Sequence, residues 1–285
     1  MQRGHRTLPP AIDFMRLCQG RESGLRAVIQ QYGAFKLRNH GVSLSTKDGC
    51  FAFSKSFFGQ SSDLKIANPA FSRFEGEKVK GTRIPKESLY ICKPDLCEYP
   101  TLQKLSKEFE RITPVLLREI SRVLNLSPPL DSFHTGGSDQ LALHHYPEVP
   151  GARERSPAHR DWGLLTLLMH EDMGSQNGLE VAELPCSHQG GQPANNSKFI
   201  SVVPGNDEIT VLLGNMLPRL SKLYQWEEIR SCAHRVSGFG ERYSIACFVH
   251  ADDNMLLHED GTTAREHREK WETQSKVGAQ RVSNT

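Results

Sequence analysis

Residues 157–168 read PAHRDWGLLTLL: a histidine, one spacer, an aspartate, then a tryptophan, a glycine and a largely apolar run. The apolar half has the pattern of a strand buried on both faces. A strand that only had to pack would not carry an imidazole and a carboxylate at its mouth, because burying an unpaired charge is costly. In extended chain His159 and Asp161 project to the same face, and Arg160 points away. The pair calls for a partner: either the two bond to each other at the surface, or a third group arrives from another strand.

The neighbouring stretches repeat the strand pattern. Between residues 140 and 252, LALHHYP, GLLTLLMH, GLEVAEL, FISVVP, ITVLLGNML, CAHRV and RYSIACFV are each short, alternating or solidly apolar, and separated by turn residues. Many short strands with turn signals predict an antiparallel sandwich or barrel. The N-terminal part reads differently. Ser23 is placed to cap a helix carrying Leu25, Val28, Ile29 and Tyr32 on one face, with Gly33 at its end. Ala34–Arg38 alternates like a strand, and a second helix is predicted near Ser45–Phe58. From Thr101 to Leu126 the residues Leu102, Leu105, Phe109, Ile112, Leu116, Ile120 and Val123 keep one helical face, and Pro114 should kink or split it. Residues 183–198, polar and rich in Gly, Pro and Asn, predict an exposed loop long enough to form part of a lid. A last helix is expected around Ala264–Val277. Helices first and strands after predict the α+β class in a single domain. Its parts would be a helical 1–139, a strand core 140–252 and a C-terminal helix and tail 253–285.

Composition narrows the function classes. The chain is long enough to bury a sizeable core. Its net charge of +2, without a long basic or acidic block, gives no reason to expect nucleic acid or a membrane surface as partner. No apolar stretch approaches the ~18 to 20 residues of a membrane span. The opening MQRGHRTLPPAIDF lacks the apolar core of a secretory signal. Seven cysteines without a CxxC pair predict free thiols in a reducing compartment, hence a cytoplasmic enzyme. GxGxxG after a strand, GxxxxGK and GxSxG are all missing, which argues against nucleotide-dependent and serine-hydrolase chemistry.

A histidine nitrogen and a carboxylate oxygen projecting together suit a first-row divalent metal, and His234, in SCAHRV at a strand end, is the candidate third ligand. Two histidines and one carboxylate cover one face of an octahedral ion and leave the rest open, the arrangement of ferrous oxygenases. Taken alone, His159 and Asp161 read more simply as a surface pair. A second constellation changes that balance. Arg242 and Ser244 open the strand RYSIACFV and share a face with Ala246 and Phe248. A guanidinium plus a hydroxyl makes a fork for a carboxylate. In LALHHYP, His144 and Tyr146 share a face, and a tyrosine hydroxyl there could donate to the same carboxylate. His40, in Asn-His-Gly, reads as structural. His134, His170, His188, His250, His258 and His267 have no partner at ligand spacing and read as surface or loop residues.

The combination His159-x-Asp161-x-Gly163-x-x-Thr166-Leu-Leu, Gly178-Leu-Glu-Val181, His234-Arg-Val236 and Arg242-x-Ser244 resembles the 2-oxoglutarate- and iron(II)-dependent oxygenases of the isopenicillin N synthase-like group. LPPAIDF, GAFKLRNHGV, FFGQSSDLKIANP and LHHYP resemble further segments of that group in the same order, so the likeness runs along nearly the whole chain. It implies a double-stranded β-helix, or jelly roll, of antiparallel strands flanked by helices. His159, Asp161 and His234 would be catalytic and hold iron(II), and Arg242, Ser244 and Tyr146 would bind the co-substrate 2-oxoglutarate. The implied chemistry consumes O2, releases succinate and CO2, and hydroxylates, desaturates or rearranges a small, partly apolar molecule in specialised-metabolite biosynthesis. Phe71, Tyr90, Trp162, Leu164, Phe248 and Trp271 are the expected pocket wall. The chain departs from the group at His144, where asparagine is usual, and at Trp162, where a smaller residue is common. It departs again at Asn215-Met216, which lacks the usual acidic residue, and in the long 183–198 loop. Two other readings stay open: an iron(II) oxidase of the same fold that does not use 2-oxoglutarate, and a catalytically silent metal-binding jelly-roll module.

Overall fold

A computed structural model of the chain describes residues 11–79, 82–171, 178–184, 188–189, 192–193, 197–238 and 240–270. Trp271, the far end of the expected C-terminal helix and half of the 183–198 loop lie outside the described residues. Five helices come before the strand-rich half: α1 (Phe14–Cys18), α2 (Leu25–Tyr32), α3 (Leu44–Phe58), α4 (Ser62–Ala67) and α5 (Pro100–Leu124). A sixth, α6 (Met216–Leu223), lies within it. The early strands are β1 (Ile12–Asp13), β2 (Ala34–Arg38), β3 (Phe71–Val79) and β4 (Thr82–Cys92). The strand-rich half holds β5 (Gln140–Tyr146), β6 (Glu154–His159), β7 (Leu165–His170), β8 (Leu179–Ala182), β9 (His188–Gln189) and β10 (Gln192–Pro193). It continues with β11 (Phe199–Ser201), β12 (Ile209–Leu213), β13 (His234–Ser237) and β14 (Arg242–Val249).

The strands form an eight-stranded sheet, ordered β1-β2-β12-β7-β14-β5-β4-β3, and a four-stranded sheet, ordered β11-β8-β13-β6, with β9 and β10 as a separate pair. Among the described residues only β1 and β2 run parallel; every other pairing is antiparallel. Side chains of both larger sheets meet in one core, Leu168, Leu212 and Ala246 from the large sheet and Leu179, Val181 and Val236 from the small one. This is the expected jelly roll. Helices α3 and α5 cover the outer face of the large sheet. On β5, Leu141, Leu143 and His145 take that outer face, so Ala142, His144 and Tyr146 look into the roll.

The helical expectations hold with three corrections. Gly24, not Ser23, is the N-cap of α2, and no side chain caps it; Gly33 ends the helix with φ +62°, as expected. Helix α3 starts one residue early because Ser43 accepts a hydrogen bond from the Thr46 amide. Pro114 does not split α5, which stays continuous over 25 residues. The ring removes one backbone donor, but Leu102, Leu105, Phe109, Ile112, Leu116, Leu117 and Ile120 are buried along the helix and hold both halves on the sheet. The β3–β4 hairpin has no counterpart in the sequence expectations. It extends the large sheet beyond β5, and β4 contributes to the site described next.

Candidate active site

The small sheet positions two of the three expected ligands by register. His234 opens β13 directly opposite His159, the last residue of β6, so the two rings stand 4.3 Å apart between centroids. Asp161 follows on the β6–β7 connection, just beyond the end of β6, and its Oδ1 lies 3.7 Å from Nε2 of each histidine. One ligand atom from each of the three side chains falls within 4.8 Å of the others, the one such group found among the described residues. Bonds of ~2.1 Å at right angles would put neighbouring donors ~3 Å apart, so the cluster needs only a small contraction around an ion.

Second contacts set which atoms face inward. The His159 Nδ1 is 2.7 Å from the Pro157 carbonyl, and the His234 Nδ1 is 3.4 Å from the Cys232 carbonyl. A carbonyl can only accept, so each Nδ1 carries the proton and each Nε2 offers its lone pair. Thr166 donates to Asp161 Oδ2 at 2.6 Å, which leaves Oδ1 for the metal side. Burial, with the His234 ring beside it, pushes His159 down to about 3, so it is neutral at physiological pH. Burial alone would raise Asp161, but His234, His159 and the Thr166 hydroxyl hold it below the usual carboxylate value. A neutral His159 and an ionised Asp161 are in the protonation states a metal requires.

The backbone next to Asp161 is clamped. The Asn215 amide donates to the Asp161 carbonyl at 2.7 Å, and the Met216 amide to the Gly163 carbonyl at 3.0 Å. A Cβ at Gly163 would sit 2.5 Å from the Val249 carbonyl and 2.7 Å from His250 Nδ1, so no larger residue fits there.

The large sheet supplies the facing wall. Arg242 and Ser244 share one face of β14, as expected, and Arg242 Nη1 donates to Ser244 Oγ at 3.0 Å. Arg242 is buried, yet its Nε and Nη2 meet no protein acceptor. Its guanidinium lies 4.9 Å from the centre of the Tyr146 ring, the residue opposite it on β5. Two unmatched N–H groups in a buried planar fork fit one carboxylate of an anionic co-substrate. The donor set therefore fits both a divalent metal and a dicarboxylate.

Of the expected wall, Tyr90, Phe248 and Trp162 come together with histidines in one aromatic row. Tyr90 packs edge-on against His144 and His144 against Phe248, while Phe248 and Trp162 each stack on His250, Trp162 at 3.8 Å. Leu164 is fully buried in the core below them. Phe71 is a correction. It pairs with Leu89 on the outer face and packs against Phe57 and Lys65, because the period-two alternation of the missed hairpin turns it away from the roll. His170 and His250 are corrections too. Both are buried rather than at the surface, His170 bonded to Thr210 and His250 stacked on Trp162. Burial pushes His250 down to about 3.

Lys86 and Ser88 were not anticipated. Lys86 stands on β4 with its ammonium 5.7 Å from the Tyr146 ring centre, and Ser88 Oγ lies 2.8 Å from His144 Nδ1. The alternation Lys86-x-Ser88-x-Tyr90 was the available signal, but nothing in the sequence pairs that segment with β5.

Comparison with known proteins agrees with this geometry. Residues 137–251 match the model of the 2OG-Fe(II) oxygenase superfamily. The chain is 28% identical to the 2-oxoglutarate-dependent dioxygenase caaD of Aspergillus niger, across 80% of this chain and 77% of that one. It is 26% identical to the 2-oxoglutarate-dependent dioxygenase htyE of Aspergillus rugulosus, across 80% and 81%. The solved structure of full-length Neurospora crassa T7H with alpha-KG shares the fold, with a TM-score of 0.69 and 23% identity over 90% of this chain and 89% of that one. A partly buried histidine–aspartate–histidine cluster facing a buried, unsatisfied arginine inside a jelly roll fits the site of a non-haem iron oxygenase. Over residues 137–251 the chain is similar to the 2OG-Fe(II) oxygenase superfamily.

Proposed function

We propose that this chain is an iron(II)- and 2-oxoglutarate-dependent dioxygenase that oxidises a small, partly apolar organic molecule in specialised-metabolite biosynthesis. The observation that carries the reading is Arg242, a buried guanidinium with two unmatched donors on the wall opposite the His159–Asp161–His234 cluster. His159, Asp161 and His234 would hold the iron, and Arg242 with Ser244, supported by Tyr146, would hold the distal carboxylate of 2-oxoglutarate. When bound, iron and 2-oxoglutarate supply oxidation of a C–H bond coupled to conversion of O2 and 2-oxoglutarate into succinate and CO2. The chain's own part is positional. Pro157 and Cys232 orient the imidazoles, Thr166 turns one carboxylate oxygen away, and the row Tyr90–His144–Phe248–His250–Trp162 lines the space with aromatic surface.

The relatives named as 2-oxoglutarate-dependent dioxygenases support this reading over an oxidase that lacks the co-substrate. No helix among the described residues is long and apolar enough to cross a membrane, and the six described cysteines are free thiols, in keeping with a cytoplasmic enzyme. Adding 2-oxoglutarate to the anaerobic iron(II) protein should produce a metal-to-ligand charge-transfer band, and aerobic incubation should form succinate. If correctly iron-loaded protein shows neither, the reading fails; succinate-independent oxygen uptake would instead favour the oxidase.

A further inference from the structure

Lys86 stands inside the site without a job in the chemistry described so far. It lies one strand beyond Tyr146, on the face of β4 that also carries Ser88 and Tyr90. Its ammonium lies 5.7 Å from the Tyr146 ring centre and is close enough to Asp161 to feel that charge. Among the described residues no carboxylate forms an ion pair with it. Its sequence neighbour Glu87 faces the other way, onto Lys65 at 2.7 Å and His145 at 2.9 Å. A lysine held near a metal cluster without a counter-ion is costly unless an anion joins it.

Charge balance indicates which anion. A ferrous ion and Arg242 together carry three positive charges, and Asp161 with 2-oxoglutarate carries three negative ones. The co-substrate thus satisfies the metal and the fork and leaves Lys86 unmatched. Along β4 the inward side chains run Lys86, Ser88, Tyr90, a cation followed by a hydroxyl and an aromatic ring, spaced ~6.6 Å apart. Beyond Tyr90 the wall continues through His144 and Phe248. A molecule lying along this strand would meet positive charge at one end and aromatic surface at the other.

We propose that Lys86 is the anchor for a carboxylate on the organic substrate, so that the enzyme acts on carboxylic acids with an apolar or aromatic body. This assignment rests on the iron and 2-oxoglutarate reading of the same site. Charge-assisted hydrogen bonds place the acid group, and the body extends toward Tyr90 and Phe248.

The test uses protein loaded with manganese(II), which binds such ligands without turnover, and saturated with 2-oxoglutarate. Calorimetry measures binding of phenylacetate, cinnamate and octanoate against their carboxamides, and separately of 2-oxoglutarate itself. The wild type should bind at least one of the acids tenfold or more tighter than its amide. Lys86→Met should erase that preference, and Lys86→Arg should keep it within about threefold. The assignment is overturned if no acid binds better than its amide, or if Lys86→Met retains the preference. It is also overturned if Lys86→Met weakens 2-oxoglutarate as much as the acids, since Lys86 would then serve the co-substrate. Failure of the wild type to bind 2-oxoglutarate at all would locate the error in the underlying reading, and this assignment would fall with it.

Discussion

Replacing Arg242 by methionine separates a co-substrate anchor from a structural arginine. Arg242 is 4% exposed, donates through Nη1 to Ser244, and has two further nitrogens without a protein acceptor. Burial also pulls its pKa down, which marks a charge the fold holds at a cost. Methionine keeps most of the length and removes the charge, so the folded protein without co-substrate should lose little stability and could gain some. A structural buried ion pair broken at one partner would instead cost about 3–5 kcal/mol. Binding should respond in the opposite way. Losing a charge-assisted fork to a desolvated carboxylate is worth about 2–4 kcal/mol, or roughly 30- to 1000-fold in the dissociation constant of 2-oxoglutarate. The charge-transfer band of the anaerobic iron protein reports that constant directly, and thermal melts with and without 2-oxoglutarate report both stabilities. The expected pattern is a melting point unchanged or raised without co-substrate, with its 2-oxoglutarate-dependent rise abolished. A variant that melts several degrees lower yet binds 2-oxoglutarate within threefold of wild type would refute the reasoning.

Other perturbations probe the rest of the site and its frame. His234→Ala should abolish iron retention after desalting, measured by metal analysis, with the fold intact by circular dichroism. Gly163→Ala forces a Cβ against the Val249 carbonyl and should cost about 1–3 kcal/mol in denaturant unfolding, with weaker iron binding because Asp161 is two residues away. Glu87 carries the buried Lys65 and His145 on its two oxygens, and although burial opposes it, these partners hold its pKa below the ordinary 4.5. A depressed carboxylate stabilises the fold above its unfolded value, and that contribution is lost as pH falls through the folded one. Glu87→Gln should therefore lower stability at neutral pH and flatten the acid limb below about 4.5, so that the two stability curves converge in acid. An unchanged acid limb would remove Glu87 from that role.

How much of this was legible beforehand differs from element to element. The strand-rich half was readable because period-two patterns and turn residues are local signals, and the inward grouping of Arg242, Ser244, Ala246 and Phe248 follows from alternation alone. The same alternation correctly divided His144 and Tyr146 from His145. The β3–β4 hairpin was not readable. Its polar residues, among them Lys78, Lys86 and Glu87, mask the strand pattern, and it becomes a strand pair through its pairing with β5. Phe71 was misplaced and Lys86 overlooked for that one reason. His170 and His250 looked like surface residues because polarity is a poor guide where a cavity wall holds neutral imidazoles.

The sequence by itself determined the class of strand each segment makes, the spacing of His159 and Asp161, and the pairing of an arginine with a hydroxyl on one face. Those are properties of a few consecutive residues, governed by backbone periodicity. Only the tertiary structure decided that His234 stands opposite His159, that Arg242 is left with two unmatched donors, and that Lys86 shares a wall with Arg242. Those facts depend on strand register and sheet order, which arise from long-range pairing and burial rather than from any local run of residues.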